Sequence, residues 1–242
     1  MNRGLFITLE GPEGAGKSLQ TARLCEALES RGIPCTATRE PGGSAAAEAI
    51  RSIVLNEKLP PLAEALLFLA ARAVNVEHII RPALDQGRVV LCDRFTDSTI
   101  AYQGYGLGLD LPMLRQMCGF ATGGLEPDLT FLLDIPPELG IQRRYADNHS
   151  SSPSTKRERR RTADQLSLAL SEEEARLREA ARSRIEERGL SFHQRVRLGF
   201  LEEARLNPHR IRVVDATRPP DEITAALTDA VLEVLAKSRG HL

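Results

Sequence analysis

The sequence predicts an α/β fold in which a five-stranded parallel sheet is flanked by helices on both faces. Three observations lead there. Short apolar runs of strand type alternate with longer stretches of helical periodicity along the 242 residues. Two of the runs, Val89-Val90-Leu91-Cys92 and Leu129-Thr130-Phe131-Leu132-Leu133-Asp134, are almost uninterrupted, as in strands buried on both faces. The first run, Leu5 to Leu9, opens directly into Gly11-Pro12-Glu13-Gly14-Ala15-Gly16-Lys17-Ser18. That stretch fits the phosphate-loop pattern G-x-x-x-x-G-K-[ST] at every fixed position.

In chain order, a first helix follows the loop, with Leu24, Ala27 and Leu28 at helical spacing, and Gly32 stops it. Ile33 to Thr38 reads as the second strand, and Arg39-Glu40-Pro41-Gly42-Gly43 as a loop, because its proline and glycines disfavour regular structure. An alanine-rich helix spans roughly Ala45 to Asn56. Pro60-Pro61 opens a longer helix from Leu62 to Arg81, whose apolar face is expected to be Leu66, Leu69, Ala70 and Ala73. The third strand ends in Asp93-Arg94-Phe95. A glycine-punctuated connection, Gln103 to Leu109, leads to a helix at about Pro112 to Thr122. After the fourth strand, Pro136-Pro137 begins another helix. The composition changes at about residue 147: Ser150 to Thr155 is low in complexity, and Lys156 to Arg161 is a dense charge run. Helical order is expected to resume by Glu173, Phe192, Val196 and Phe200 mark a further helix, Ile211 to Val214 the last strand, and Ile223 to Leu235 the closing helix. The whole reads as a single domain, 1–242, with a lid and basic insertion at about 147–187.

Composition narrows the function. A formal net charge of −1 supplies no global field for nucleic acid or membrane, and the apolar runs are too short to span a bilayer. Base stacking is unavailable to the insertion, which has no aromatic residue between Tyr145 and Phe192. The four cysteines lack C-x-x-C spacing and read as free thiols in a reducing, cytoplasmic setting.

The chemistry of the phosphate loop explains its spacing. Its glycines let successive backbone N–H groups point into one concavity, Lys17 reaches the β- and γ-phosphates, and the Ser18 hydroxyl can ligate Mg²⁺. The following helix adds its N-terminal dipole. In an open parallel sheet ligands bind at the carboxyl ends of the strands, so the loop, Arg39-Glu40 and Asp93-Arg94 are expected to converge on one cleft. Asp93 can hold Mg²⁺ or its waters, and Arg94 can grip a second phosphate. The absence of an N-K-x-D guanine signature argues against a GTPase switch, and the arginine-rich segment suits phosphoryl transfer.

Taken together, Phe6 to Ser18, Thr38-Arg39-Glu40-Pro41-Gly42-Gly43, Leu66 to Arg72, Asp93-Arg94-Phe95 and Ala101-Tyr102-Gln103-Gly104 resemble bacterial thymidylate kinase, over about residues 4–146 and 182–236. The resemblance implies a three-layer P-loop kinase fold, and transfer of the γ-phosphate of ATP to dTMP, giving dTDP, with Mg²⁺. It implies that Phe68 stacks on thymine, that Arg72 hydrogen-bonds the base carbonyl, and that Thr99 and Gln103 meet its polar edge. Arg94 is then expected to hold the dTMP phosphate, with Arg39, Glu40 and Arg51 nearby, and Tyr102 to lie beneath the deoxyribose. Glu13 matches members that keep a carboxylate in the loop and take a catalytic arginine from the lid. A homodimer packed through helices is also implied.

The chain departs from the family pattern at the lid. Arg184-Ile185-Glu186 fits the segment that usually reads Asp-Arg-x-Glu, but Ser183 replaces the Asp, and an extra stretch of about thirty residues precedes it. Arg184 is taken as the lid arginine, with Arg143, Arg144, Arg182, Arg157, Arg159, Arg160 and Arg161 as alternatives. Two other functions fit the loop: a kinase for another nucleotide, such as dUMP or a purine monophosphate, and a non-catalytic ATP-binding module that regulates an assembly.

Overall fold

The computed structural model describes residues 3–149 and 188–239, with side chains for 3–144 and 188–237. Its centre is a five-stranded sheet of β1 (Leu5–Glu10), β2 (Cys35–Arg39), β3 (Val89–Asp93), β4 (Leu129–Asp134) and β5 (Ile211–Asp215). The strands lie in the order β2-β3-β1-β4-β5 and every pairing is parallel. The chain leaves β1 for one side of the sheet and later returns to its other side, so β1 lies at the topological switch point where a ligand crevice opens. Leu9 and Arg39 both pair in register with Asp93. One row across three strands therefore delivers the phosphate loop, Glu40 and Arg94 to the same edge, as expected from the sequence.

Helices cover both faces. The side chains of β1 alternate: Ile7 and Leu9 pack with Leu24 and Leu28 of α1 (Lys17–Glu29), while Phe6 faces Ile80 and Phe95. The Phe6 and Phe95 rings meet edge to face at 5.0 Å. The outer layers are completed by α2 (Ala45–Asn56), capped by the Ser44 hydroxyl, α3 (Pro61–Asn75), α4 (Arg81–Asp85), α5 (Thr96–Thr99), α6 (Leu111–Thr122), α7 (Pro137–His149), α8 (residues 188–206) and α9 (Pro220–Arg239). The last of these packs Leu227 and Val231 on the α1 side. Phe192, Val196 and Phe200 of α8 are buried together, as their spacing predicts. All four cysteines are free, three of them buried and Cys25 half-buried. The expected restart of helix by Glu173, the low-complexity run and the basic run all lie outside the described residues; residues 147–149 continue α7.

Three expectations need correction. The second strand begins at Cys35 and includes Arg39, because Arg39 pairs with Asp93 instead of entering the loop. The long third helix does not end at Arg81. It widens into a π turn at Val76–Ile80 and continues as α4. Its inward face is only in part the expected one: Leu69 is buried and Ala73 half-buried, but Leu66 and Ala70 are exposed, and Glu64, Arg72 and Asn75 are buried beside Ala65 and Leu69. Periodicity locates the helix but misjudges its face, since its buried polar groups have partners in the cleft.

The third correction concerns the stretch before α6. Its first part is helical: α5 runs into a π turn at Ile100–Gly106, and the connection is confined to residues 107–110, where Gly108 at φ +79° does end the helix. Gly104 and Gly106 provide room, not a break. A Cβ on Gly106 would come within 2.6 Å of the Phe192 ring and 2.9 Å of Val196 Cγ2. Gly106→Ala is expected to push α8 away and destabilise the fold by about 1–3 kcal/mol, read from urea denaturation. An unchanged midpoint would show that α8 yields at no cost.

Candidate active site

At the carboxyl edge of the sheet lies a cavity of about 930 Å³. Its floor is the phosphate loop. Glu13, Gly14, Ala15, Gly16, Lys17 and Ser18 line it, whereas Gly11 and Pro12 sit buried behind them. Gly14 has φ +71°, and a Cβ there would fall 2.0 Å from the Gly140 carbonyl oxygen, so the loop lies directly on α7. Lys17 is 7% exposed and its Nζ donates to the carbonyls of Gly11 (2.9 Å) and Pro12 (2.8 Å). Burial, and then the Arg94 charge, bring its pKa down to about 8 against the opposing pull of Glu13, Asp93 and Glu10.

Arg94 is placed by unusual backbone. It is the one non-glycine residue with positive φ (71°) among the described residues, a costly conformation that persists where surroundings enforce it. Its N–H donates to Leu9 O and its carbonyl accepts the Cys92 thiol. The next turn is tied to Glu10 at the end of β1. That carboxylate accepts Phe95 N–H (2.7 Å), Ser98 N–H (3.2 Å) and the Ser98 hydroxyl, and Ser98 Oγ in turn accepts from Arg94 Nη1 at 3.2 Å. Complete burial, with the neighbouring Asp97 charge, pushes Glu10 up from 4.5 to about 7, against the pull of Ser98, Arg94 and Phe95. Arg210 fixes Asp97 with a two-pronged pair at 2.7 and 2.8 Å.

Glu13 ties the two halves of the cavity together. It pairs with Arg94 at 2.8 Å and with Arg144, and accepts from the Tyr102 hydroxyl at 3.2 Å. Burial alone would raise its pKa, but Arg94 first, then Arg144 and Lys17, hold it far below the usual carboxylate range. Arg94 also lies over the Tyr102 ring, 4.9 Å from its centre.

The rest of the wall holds Phe68, Arg72, Thr99, Tyr102 and Gln103, with Glu40 buried against Arg72 and with the more exposed Arg39 and Arg51. Arg72 is 2% exposed, and each of its nitrogens has a protein acceptor: Glu40 at 2.7 Å, Thr99 Oγ1 at 2.9 Å and the Phe95 carbonyl at 2.8 Å. Glu40 is thus paired with Arg72 and with Asn75, an arrangement whose one-sided disruption costs about 3–5 kcal/mol. Arg39 is paired to Glu48, and Arg51 donates to the Pro41 carbonyl.

Asp93 decides the fit of a metal. The Ser18 hydroxyl donates to its Oδ2, while its Oδ1 is the one buried side-chain oxygen or nitrogen without a hydrogen-bond partner among the described residues. Among the same residues no three His, Cys, Asp or Glu side chains cluster. One hydroxyl and one carboxylate beside a phosphate cradle suit Mg²⁺, which keeps waters and substrate phosphates as its other ligands.

Every described candidate residue except Gly11 and Pro12 therefore lines this one cavity; Arg184 lies outside the described residues. Sequence reading missed Glu64, Ser98, Arg188, Phe192, His193 and Arg218, which also line it. They carry no motif, and Glu64 alone had a signal: an acidic residue on a helix otherwise rich in leucine and alanine.

Comparison with known proteins agrees with this geometry. The family model described as thymidylate kinase matches residues 9–175. A thymidylate kinase of Deinococcus radiodurans is 45% identical over 243 residues, covering 100% of both chains. The chain belongs to the thymidylate kinase family. A thymidylate kinase of Syntrophotalea carbinolica is 46% identical over 221 residues, covering 90% of each chain. A crystal structure of thymidylate kinase from Ehrlichia chaffeensis matches with a TM-score of 0.64 at 30% identity, covering 96% of this chain and 99% of that one. The P-loop kinase fold expected from the sequence is the one observed.

The raised pKa of Glu10 sets a stability trend for this thymidylate kinase family member. Between pH 4.5 and about 7 the folded protein retains a proton that the unfolded chain has released, so stability falls as pH rises through that window. Urea denaturation at pH 5 and pH 8 is expected to show the wild type losing about 2–3 kcal/mol relative to Glu10→Gln. Parallel pH profiles would remove Glu10 as the titrating group.

Proposed function

We propose that the chain transfers the γ-phosphate of ATP to dTMP, with Mg²⁺, to give dTDP. The observation that carries this reading is that one cavity holds both a phosphate cradle and a second pocket with an aromatic side chain and a polar edge, joined through Arg94 and Glu13. A purely regulatory ATP module has no use for the second pocket.

In this reading the loop from Gly11 to Ser18 wraps the ATP phosphates, and Lys17 turns from its own loop carbonyls to the transferring phosphate. Bound Mg²⁺ would neutralise charge between the phosphates, and Ser18 and Asp93 are the residues to hold it. Arg94 holds the dTMP phosphate in line. Arg39 and Arg51 reinforce it at the rim, and Phe68 stacks on the thymine. Glu40 acts behind the pocket by orienting Arg72, which has one Nη2 proton left for the base carbonyl. Tyr102 packs under the sugar. Glu13 keeps Arg94 and Arg144 facing each other across the phosphate path, and Arg144 joins Arg184 as an arginine able to stabilise the transferring group.

The test is ADP release from ATP and Mg²⁺ against dTMP, dUMP, dGMP, dAMP, CMP and AMP. Turnover is expected with dTMP, with lesser activity on dUMP, because one methyl contact is worth only about 1–3 kcal/mol. Arg94→Ala is expected to reduce kcat/KM by about 100-fold or more while leaving ATP binding in place. Turnover with a purine monophosphate would overturn the pocket assignment.

The protein is further proposed to act as a cytoplasmic homodimer. No helix among the described residues is long and apolar enough to cross a membrane. Ile53 of α2, Leu62 and Leu66 of α3 and Phe120 of α6 are large apolar side chains left exposed on helices that pack side by side, Phe120 at 92%. Phe120→Glu with Leu66→Glu is expected to halve the mass seen by light scattering; a monomeric wild type refutes the dimer.

A further inference from the structure

We propose that Glu64, held by Arg188, is a positioning residue that fixes the Gln103 amide with its carbonyl oxygen toward the substrate base. The pocket thereby selects pyrimidines whose ring N3 carries a proton. The inference rests on the reading of this cavity as a dTMP site and deepens it.

Glu64 lies in the first turn of α3 and is 2% exposed. One of its oxygens accepts from Gln103 Nε2 at 2.9 Å, and the other pairs with Arg188 at the start of α8. The Arg188 guanidinium lies over the Phe192 ring, 4.9 Å from its centre, which fixes it in turn. A carboxylate in an ion pair has no proton to donate, so the amide must turn its NH₂ toward Glu64 and its oxygen away. That oxygen has no donor within the described residues, yet Asp93 Oδ1 is the one unpartnered atom that is fully enclosed. Gln103 Oε1 therefore reaches accessible space, and the space Gln103 lines is the cavity.

Thr99 stands one turn earlier on the same helical segment. Its Oγ1 accepts from Arg72 Nη1, which leaves its own proton to give. The wall thus offers a donor at Thr99 beside an acceptor at Gln103. Thymine and uracil carry the complement, a carbonyl O4 beside a protonated N3. Cytosine carries the reverse, an amino group beside an unprotonated N3. A hydroxyl can rotate to meet either base, but an amide pinned from behind by a carboxylate cannot flip. Against cytosine its oxygen faces the N3 lone pair, and that repulsion is built into the pocket.

The test measures kcat and KM with dTMP, dUMP and dCMP for the wild type, Glu64→Gln, Gln103→Met and the double variant. Glu64→Gln puts an amide behind Gln103 that can either accept or donate, so Gln103 is free to flip. The preference for dTMP over dCMP is expected to fall about 10-fold or more, mainly through KM, with dUMP following dTMP. In the Gln103→Met background Glu64→Gln is expected to change the preference no further, since Glu64 acts only through that amide. An unchanged preference in Glu64→Gln, or independent additive losses in the double variant, overturns the proposal. Should Glu64→Gln fail to fold, Arg188→Met, which keeps an apolar stem on Phe192, is expected to lower the preference about 3-fold; no change there overturns it equally. A wild type inactive on dTMP refutes the underlying reading, whereas an active wild type whose preference survives these variants refutes the positioning role alone.

Discussion

The carboxylate of Glu10 stands at the end of the central strand with no access to solvent, and the cleft is built around it. Two backbone N–H groups and one hydroxyl from the turn after β3 converge on it. Those bonds hold the first turn of α5 against the sheet and keep Arg94 in a left-handed backbone conformation that an arginine does not adopt unaided. An isolated buried carboxylate is costly, and here the cost shows as a pKa pushed up to about 7. The hydrogen bonds offset it in part, and the return is a fixed cation beside the phosphate loop.

Charge pairing extends that logic across the cavity. Glu13 sits between Arg94 and Arg144, Glu40 against Arg72, Glu64 against Arg188 and Asp97 against Arg210. Pairs buried to this degree add little net stability compared with apolar packing, but removing one partner strands the other. Their consequence is geometric: guanidinium groups are held at chosen positions before any substrate arrives. Preorganisation of this kind lowers a phosphoryl-transfer barrier, because the charge that develops meets dipoles and cations already in place. Asp93 is the exception, with one buried oxygen left without a partner, as a group reserved for an incoming cation would be.

The two π turns serve the same cavity. Each lies in a helix whose inward face carries site residues, and each widens the helix locally. Gly104 and Gly106 then let α6 and α8 approach closely enough to close the wall behind Tyr102 and Gln103.

By itself the sequence determined the sheet, because buried parallel strands read as continuous apolar runs and their crossover helices as 3.6-residue periodicity. It also determined the phosphate cradle, whose spacing is a property of one local loop, and the convergence of Arg39, Glu40, Asp93 and Arg94, which follows from lying after successive strands. Only the tertiary structure decided which side chains share a charge. Glu64 and Gln103 are 39 residues apart, Glu13 and Arg144 131, and Glu64 and Arg188 124, separations that no local pattern encodes. It likewise decided that the inward face of α3 carries Glu64, Arg72 and Asn75 among its small and aliphatic residues, and that the glycines of residues 104–106 mark close packing inside a helix. The physical reason is common to all of these. Periodicity records where a chain avoids water, while a buried charge is stable only beside its partner, and that partner arrives from elsewhere in the fold.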